Sequence, residues 1–235
     1  STTFSGDEFF LADHQVRADG RTVQRVLPGV AYLEMARAAI EHALPVRPES
    51  EVLELRNTVW VQPIVVTGSK QVRIALSPND SARIDYEICS QDAEQEVVHC
   101  QGGVVFSRQP APVRLDLEQI EGQMAASQVE PRDAYAAFTR MGLIYGPSFQ
   151  GITNIRRGDG QLLARLRLPK VVEATAKDFV LHPSVMDGAV QAAVAFMDSN
   201  EPRLPFALES LRIFAPCTGE MAAWVRTSAG SQAAD

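Results

Sequence analysis

The fold follows from the segment Leu27-Pro28-Gly29-Val30-Ala31-Tyr32-Leu33-Glu34-Met35-Ala36, and a second segment later in the chain has the same design. The second runs Leu181-His182-Pro183-Ser184-Val185-Met186-Asp187-Gly188-Ala189-Val190-Gln191. Proline suits the first turn of a helix, where its missing N–H leaves no helical hydrogen bond unmade, so each stretch predicts the start of an apolar helix. When Pro28 is aligned with Pro183, Tyr32 falls opposite Asp187. The repeat predicts two similar halves that carry different polar side chains.

Alternating apolar and polar residues predict strands after each of these helices. In the first half we predict a helix at 29–43 and strands at 52–61, 71–77, 83–89 and 96–107. In the second half we predict helices at 132–140 and 183–197 and strands near 149–156, 161–168, 207–215 and 221–228. A central helix followed by antiparallel strands in each half predicts an α+β fold in which a sheet wraps around each helix, a double hot-dog.

The predicted halves are residues 1–108 and 132–235, joined by a linker at 109–131 that is rich in Pro, Gln and acidic residues. Four strand candidates follow the first central helix, whereas two follow the second. If the halves are equivalent, about two strands are missing from the second half. The N-terminus also begins abruptly, as if within a strand. We therefore expect a fold that is trimmed at both ends.

The composition is that of a globular protein and excludes several kinds of partner. The 235 residues are 46% hydrophobic and 22% charged, and the chain is long enough to bury a core. No apolar run reaches the roughly 18 residues of a membrane span, and the N-terminus does not resemble a signal peptide. We therefore expect a cytoplasmic protein without a membrane partner. A net charge of −7, without clustered Lys and Arg, argues against nucleic acid.

Motifs of other enzyme classes fail on spacing. In Gly146-Pro147-Ser148-Phe149-Gln150 the glycine that would complete a hydrolase elbow, Gly151, comes one residue late. Gly158-Asp159-Gly160 lacks the third glycine of a dinucleotide-binding loop. His and Cys residues do not cluster at zinc-like spacings, so we expect no metal. We expect the cysteines to be reduced and buried within strands; they are Cys89, Cys100 and Cys217.

His14 and Asp187 supply a base and an acid, one in each half. Removal of water from a 3-hydroxyacyl thioester requires a base for the weakly acidic α-proton and an acid for the departing hydroxyl. A histidine with a near-neutral pKa suits the role of the base. A carboxyl group that apolar surroundings keep protonated suits the role of the acid. Asp187 lies among Val185, Met186 and Ala189, which favours such surroundings.

Gln191 and Gly29 are the candidate supporting residues. Gln191 lies four residues after Asp187 on the same helical face, so its amide can orient the carboxyl group. The first N–H groups of helix 29–43 have no intrahelical partner and are available to an enolate, and Gly29 has no side chain to obstruct it. Two alternatives stay open. His14 could be a structural or surface histidine, and His182 could be the base or a cap of its helix.

Three stretches together resemble the dehydratase domain of modular polyketide synthases, particularly those of bacterial trans-acyltransferase assembly lines. The first contains Phe10-Leu11-Ala12-Asp13-His14 and continues to the helix that starts at Pro28. The second is Tyr145-Gly146-Pro147-Ser148-Phe149-Gln150-Gly151, and the third is Leu181-His182-Pro183 with Asp187 and Gln191. They frame nearly the whole chain, and their combination is highly specific.

The resemblance implies a double hot-dog with His14 as base and Asp187 as acid across one tunnel. It implies that Tyr145 and Gln191 assist at the substrate hydroxyl and that Gly29 provides a backbone donor. The substrate would arrive as a thioester on the phosphopantetheine arm of an acyl carrier protein, with no cofactor bound by the domain itself. The implied partners are that carrier protein, neighbouring synthase domains and a second copy of the chain in a homodimer.

The chain departs from the family motif between the base and the helix. The family pattern is H-x-x-x-G-x-x-x-x-P, in which His and Pro are nine residues apart, but here His14 and Pro28 are fourteen residues apart, five more than the pattern requires, and Ala18 stands at the glycine position. Asp19-Gly20 is a strong signal for a hairpin turn, so the extra residues predict a longer hairpin. Two residues added to each arm, with the fifth in the turn, would preserve the alternation of side chains and keep His14 facing inward.

The resemblance leaves two further functions open. Related domains of this fold shift double bonds or close oxygen rings, and the family expectation is that they lose the acidic Asp or the motif Pro. This chain keeps both Asp187 and Pro28, which favours dehydration. A non-catalytic acyl-binding or scaffold module is the remaining alternative, because a shortened second sheet would leave the tunnel open.

Overall fold

The computed structural model describes residues 1–18, 20–44, 51–79, 83–92, 95–108, 110, 112–124, 127–196 and 205–227. The elements up to residue 107 are β1 (Thr2–Phe4), α1 (Phe9–Ala12), β2 (His14–Ala18), β3 (Thr22–Arg25), α2 (Gly29–Ala43), β4 (Val52–Trp60), β5 (Lys70–Asn79), β6 (Arg83–Asp92) and β7 (Gln95–Ser107). Those that follow are α3 (Leu117–Gly122), β8 (Ser127–Val129), α4 (Pro131–Arg140), β9 (Leu143–Tyr145), β10 (Ile152–Gly158), β11 (Gln161–Arg167), α5 (Pro183–Phe196), β12 (Ala207–Ile213) and β13 (Glu220–Arg226). Single 3₁₀ segments lie at Pro147–Phe149 and Lys170–Thr175.

A large antiparallel sheet packs against α2. Its strand order is β1-β5-β6-β7-β4-β12, and consecutive strands β5, β6 and β7 pair along most of their length. Ala36 and Ile40 of α2 are fully buried against Leu55 and Ile88 of the sheet. The helix spans the predicted residues 29–43, and the four strands predicted after it are confirmed with ends shifted by at most three residues.

A smaller antiparallel sheet packs in the same way against α5. Its order is β13-β11-β10-β8. Val185 and Ala192 of α5 are buried with Leu162 and Leu166 of β11. Each central helix is therefore covered by its own sheet, and the predicted α+β double hot-dog is confirmed.

The two halves interlock through strands that cross between them. β2 pairs with β3, which confirms the predicted hairpin, and β2 also pairs with β9, so that His14 lies opposite Tyr145. Gly20, in the hairpin turn, has a φ of +67°, a conformation that suits glycine, whereas Asp19 lies outside the described residues. The prediction that the strand near 207–215 belongs to the second half is wrong, because β12 pairs with β4 at the edge of the first sheet.

The predicted linker carries structure of its own. Asp116 accepts hydrogen bonds from the N–H groups of Glu118 and Gln119 and thereby caps α3, and β8 pairs with β10. Ile120 of α3 packs against Leu163 of the smaller sheet. The described parts of this segment therefore pack with the second half. Division of the chain at 108 and 131 stays a prediction.

Candidate active site

His14 is the first residue of β2 and lies 8% exposed between the two halves. Its main-chain oxygen accepts a hydrogen bond from the N–H of Val26 at 3.1 Å. Its ring Nδ1 lies 2.7 Å from the Val26 carbonyl oxygen. Because a carbonyl can only accept, Nδ1 carries a proton toward Val26, and Nε2 is the ring nitrogen left to exchange a proton with a ligand.

Asp187 lies in the second turn of α5 and is 4% exposed. Burial raises the pKa of this carboxyl group above its usual range, and the nearby His14 and a hydrogen bond from Gln191 oppose that rise only partly. Asp187 is therefore held toward its protonated form, as a proton donor requires. The apolar setting predicted from its neighbours in sequence is present.

The side chain of Gln191 holds Asp187 in place. Gln191 Nε2 donates to Asp187 Oδ2 at 2.9 Å and to the carbonyl oxygen of Phe149 at 3.1 Å. The Phe149 carbonyl can only accept, so the amide orientation is determined and its two N–H groups are both used. Gln191 is 1% exposed and stands behind Asp187, outside the cavity lining.

His14 and Asp187 line the same cavity, which has a volume of about 290 Å³. Most of its wall is apolar, with Val16, Val26, Leu27, Val30, Leu143, Val190 and Val194 among the lining residues. Its lining also includes Val61 and Phe206, which are 54% and 74% exposed and therefore mark an opening to the surface. A cavity of this kind suits an apolar ligand that enters from solvent.

Gly29 and Pro28 lie where the first helix meets the cavity. Gly29 and Val30 both line the cavity, and they are the first two residues of α2, whose N–H groups have no intrahelical acceptor. Pro28 precedes the helix and does not line the cavity; its carbonyl accepts from Ala31 N–H at 2.9 Å. The Gly29 carbonyl accepts from Trp60 Nε1 at 3.0 Å, which ties this first turn to β4.

Tyr145 lines the cavity beside His14, with ring centroids 5.5 Å apart. Burial, and secondarily the charge of Asp187, raise the pKa of its hydroxyl well above the usual value, so the group stays a neutral donor. Tyr32 stands at the position in α2 that matches Asp187, and its hydroxyl accepts from the N–H of Ile64 at 2.8 Å. The two matching positions thus hold one acid and one structural tyrosine.

His182 is a cap and not a second base. Its Nδ1 accepts from the N–H of Ser184 at 3.2 Å, so Nε2 carries the proton and donates to the Thr175 hydroxyl at 3.0 Å. Its ring stacks on Phe9 with centroids 5.6 Å apart. Burial lowers the pKa of His182 to about 4. Both nitrogens are occupied, and the residue does not line the cavity.

Sequence reasoning missed three groups that hold the site together. The Val26 carbonyl sets the His14 tautomer, the Phe149 carbonyl anchors Gln191, and the Asp13 carboxylate accepts from Ser148. Asp13 and Phe149 stand in two of the motifs that carry the resemblance, but two of these three groups are main-chain carbonyls. A carbonyl carries no residue identity, so no pattern of side chains could have indicated its role.

The three cysteines do not line the cavity. Cys89 and Cys100 are buried in β6 and β7, whereas Cys217 is half-buried in the connection between β12 and β13 and not in a strand. Among the described residues, no three His, Cys, Asp or Glu side chains are grouped as metal ligands. Within that same part of the chain, no helix combines the length and apolar character of a membrane span.

The structure is thus a double hot-dog in which an imidazole and a buried carboxyl group line one apolar cavity. The sequence matches two family models. Residues 1–91 match the polyketide synthase dehydratase domain, and residues 116–235 match the polyketide synthase dehydratase N-terminal domain. The chain belongs to the polyketide synthase dehydratase family, as the resemblance predicted.

The chain is similar to a bacterial polyketide synthase and to two dehydratase domains of known structure. It is 39% identical to polyketide synthase PksM of Bacillus subtilis (strain 168) over 99% of this chain, but spans only 6% of that synthase. It is 44% identical to a trans-AT PKS dehydratase domain from Brevibacillus brevis, with a TM-score of 0.91, covering 98% of this chain and 82% of that one. The dehydratase domain of RzxB from Pseudomonas fluorescens is 27% identical, with a TM-score of 0.82 over 98% of this chain and 83% of that one.

Proposed function

We propose that this chain removes water from a 3-hydroxyacyl thioester and releases an α,β-unsaturated acyl thioester. The observation that carries the proposal is the convergence of His14 and the buried Asp187, one from each half, on one apolar cavity. Membership of the dehydratase family supports the same reaction.

His14 acts as the base. Its Nδ1–H is committed to the Val26 carbonyl, so Nε2 takes the α-proton of the substrate. The electron pair of the broken C–H bond forms the new double bond as the β-carbon–oxygen bond breaks. Asp187 gives its proton to the departing hydroxyl, and one water molecule leaves. The imidazolium and carboxylate that result have opposite charges and stabilise each other until proton transfer restores the starting forms.

The thioester carbonyl must be stabilised while negative charge develops on it. The N–H groups of Gly29 and Val30 lie at the cavity wall at the positive end of α2, and they are the donors that we assign to this oxygen. Tyr145, whose hydroxyl remains protonated, and Gln191, through Asp187, serve the hydroxyl side. The domain itself supplies all of these groups without a bound cofactor.

The relatives are multidomain synthases, so we infer that the substrate arrives on the phosphopantetheine arm of an acyl carrier protein. The exposed Val61 and Phe206 at the cavity opening provide apolar surface beside which the arm can enter. Neighbouring synthase domains and a second copy of this chain are the further partners that we propose.

The proposal is tested by turnover of a 3-hydroxyacyl pantetheine thioester, followed by mass spectrometry. We expect a product lighter by one water molecule, and loss of that product in both His14→Phe and Asp187→Asn. Matched controls are His42→Ala, an exposed histidine at the end of α2, and Asp7→Asn, an exposed carboxylate. Dehydration that persists in both site variants would contradict the proposal. A product of unchanged mass would instead assign the chain to the isomerases or cyclases.

A further inference from the structure

Asp13, the residue before the base, forms hydrogen bonds to the second half of the chain. Its Oδ2 accepts from the Ser148 hydroxyl at 2.7 Å and from the Ser148 N–H at 2.9 Å. Its main-chain oxygen accepts from Gly146 N–H at 2.8 Å. Asp13 thus holds the turn at residues 146–149 by three hydrogen bonds, on the half that carries the acid.

The close approach of Asp13 explains why residue 146 is glycine. A Cβ atom on Gly146 would overlap the Asp13 carboxylate, although the φ of Gly146, −76°, is one that any residue adopts. The glycine is therefore required by the carboxylate and not by the turn itself. The contact therefore depends both on the carboxylate of Asp13 and on the absence of a side chain at Gly146.

The turn that Asp13 holds ends at Phe149, which touches the base and anchors the acid. The Phe149 ring packs edge-on against the His14 ring, with centroids 5.4 Å apart. The Phe149 carbonyl accepts from Gln191 Nε2, which also holds Asp187 Oδ2. An unbroken chain of contacts runs from Asp13 through the turn to the acid.

We propose that Asp13 is a positioning residue, which sets the placement of the acid by locking the turn that carries the Phe149 carbonyl. This rests on the proposed function of Asp187 as the proton donor. Because His14 follows Asp13 directly in sequence, the base and the anchor of the acid move as one unit. The geometry between base and acid is then maintained even though the two groups belong to different halves.

The kinetic test compares Asp13→Ala with Asp13→Asn, whose amide oxygen can still accept from Ser148. We expect Asp13→Ala to lower kcat by about 10- to 100-fold with little change in KM, and Asp13→Asn to recover part of that loss. Ser148→Ala, which keeps the Ser148 N–H bond, is the milder variant if Asp13→Ala unfolds. Its matched control is Ser184→Ala, since Ser184 is equally buried but its hydroxyl has no partner among the described residues.

A double-mutant cycle distinguishes positioning from general damage. If Asp13 acts through Gln191, the loss in kcat for Asp13→Ala combined with Gln191→Ala will be close to that of the more severe single variant. Losses that multiply would overturn the proposal. A loss in the Ser184→Ala control equal to that in Ser148→Ala would overturn it as well, because the effect would then reflect packing.

A second readout does not depend on turnover, and so separates failure of this proposal from failure of the proposed function. Among the described residues, the ionisable groups that face Asp187 are His14 on β2, Tyr145 on β9 and Tyr135 on α4. The Gln191 hydrogen bond stabilises the charged carboxylate, so its loss should raise the titration midpoint of Asp187. In carboxyl-¹³C NMR we expect Asp13→Ala to shift that midpoint upward, in the same direction as the shift that we expect of Gln191→Ala. An unchanged midpoint would refute the positioning role even if the wild-type protein proved inactive.

Discussion

The carboxylate of Glu34 accepts a hydrogen bond of 2.9 Å from the main-chain N–H of Leu181. Glu34 belongs to the first helix motif, and Leu181 opens the second. The same carboxylate accepts from the N–H of Val180 at 3.0 Å and pairs with Arg37 through both of its oxygens. The two repeated stretches are therefore joined directly, and the first helps to place the start of the helix that carries Asp187.

Glu34→Ala should destabilise the protein strongly. Arg37 and Glu34 are both 8% exposed in their side chains, so the substitution leaves a buried guanidinium without its main partner and two unpaired N–H groups. We expect a loss of about 3–5 kcal/mol in the free energy of unfolding, measured by urea denaturation. Glu41→Ala removes the other, 44% exposed partner of Arg37 and should cost about 1 kcal/mol or less. Equal costs in the two variants would contradict this account.

His182 should make stability depend on pH. Its pKa is lowered from 6.5 to about 4, so the unfolded chain binds a proton more readily than the folded protein as the pH falls through this window. The contribution of neutral His182 to the free energy of unfolding is therefore almost fully present above pH 6.5, and it is lost as the pH falls toward 4. Protonation of His182 should therefore lower the free energy of unfolding by about 2 kcal/mol when the pH falls from 7 to 5.

The measurement for His182 compares the wild type with His182→Asn, which can still accept from Ser184 but does not titrate. The difference between the two proteins isolates His182 from His99, whose pKa burial also lowers. We expect the variant to lose about 2 kcal/mol less than the wild type between pH 7 and pH 5. Parallel pH curves would show that His182 is not the group responsible.

The pH profile of turnover should report Asp187 on its alkaline side. The acid must be protonated to act, and burial raises its pKa, so activity should persist to a higher pH than an ordinary carboxyl group would allow. In Asp187→Asn we expect kcat to fall by about 100-fold or more and the alkaline limb to disappear. Asp7→Asn should leave the profile unchanged. An alkaline limb that survives in Asp187→Asn would assign it to another group.

Trp60→Phe tests the first turn of α2. The substitution removes the Nε1–H donor to the Gly29 carbonyl but keeps an aromatic ring in the cavity wall. Loss of one such hydrogen bond is worth about 1 kcal/mol, so we expect kcat to fall by about fivefold. Trp224→Phe is the control, because its indole N–H donates to Gln161 in the other sheet and away from the cavity. Similar losses in both variants would contradict a role for Trp60 at the site.

Local pattern predicted much of the architecture. The helix at 29–43, the four strands that follow it and the turn at Gly20 are each specified by residues near one another in sequence, through apolar periodicity, proline and glycine. The same is true of the pair Asp187 and Gln191, whose contact follows from helical spacing. For this reason the central helices and their main strands could be predicted.

Pairing between the halves could not be predicted in this way. β12 follows α5 in sequence but pairs with β4, and β9 pairs with β2. An edge strand has unpaired N–H and C=O groups, and the packing of the two layers determines which strand lies beside it. The short strands β1, β8 and β9 span three residues each, too few to show an alternation. Their formation depends on the neighbours that complete their hydrogen bonds.

Side-chain chemistry and short-range periodicity were enough to predict the two central helices, most of their strands and the candidates for base and acid. Two details of the site depend on contacts between distant parts of the chain: the Val26 carbonyl selects the His14 tautomer, and the Phe149 carbonyl anchors the Gln191 amide that holds Asp187. Main-chain carbonyls are the same at every position, so they acquire a role only when folding brings a particular one to a particular side chain.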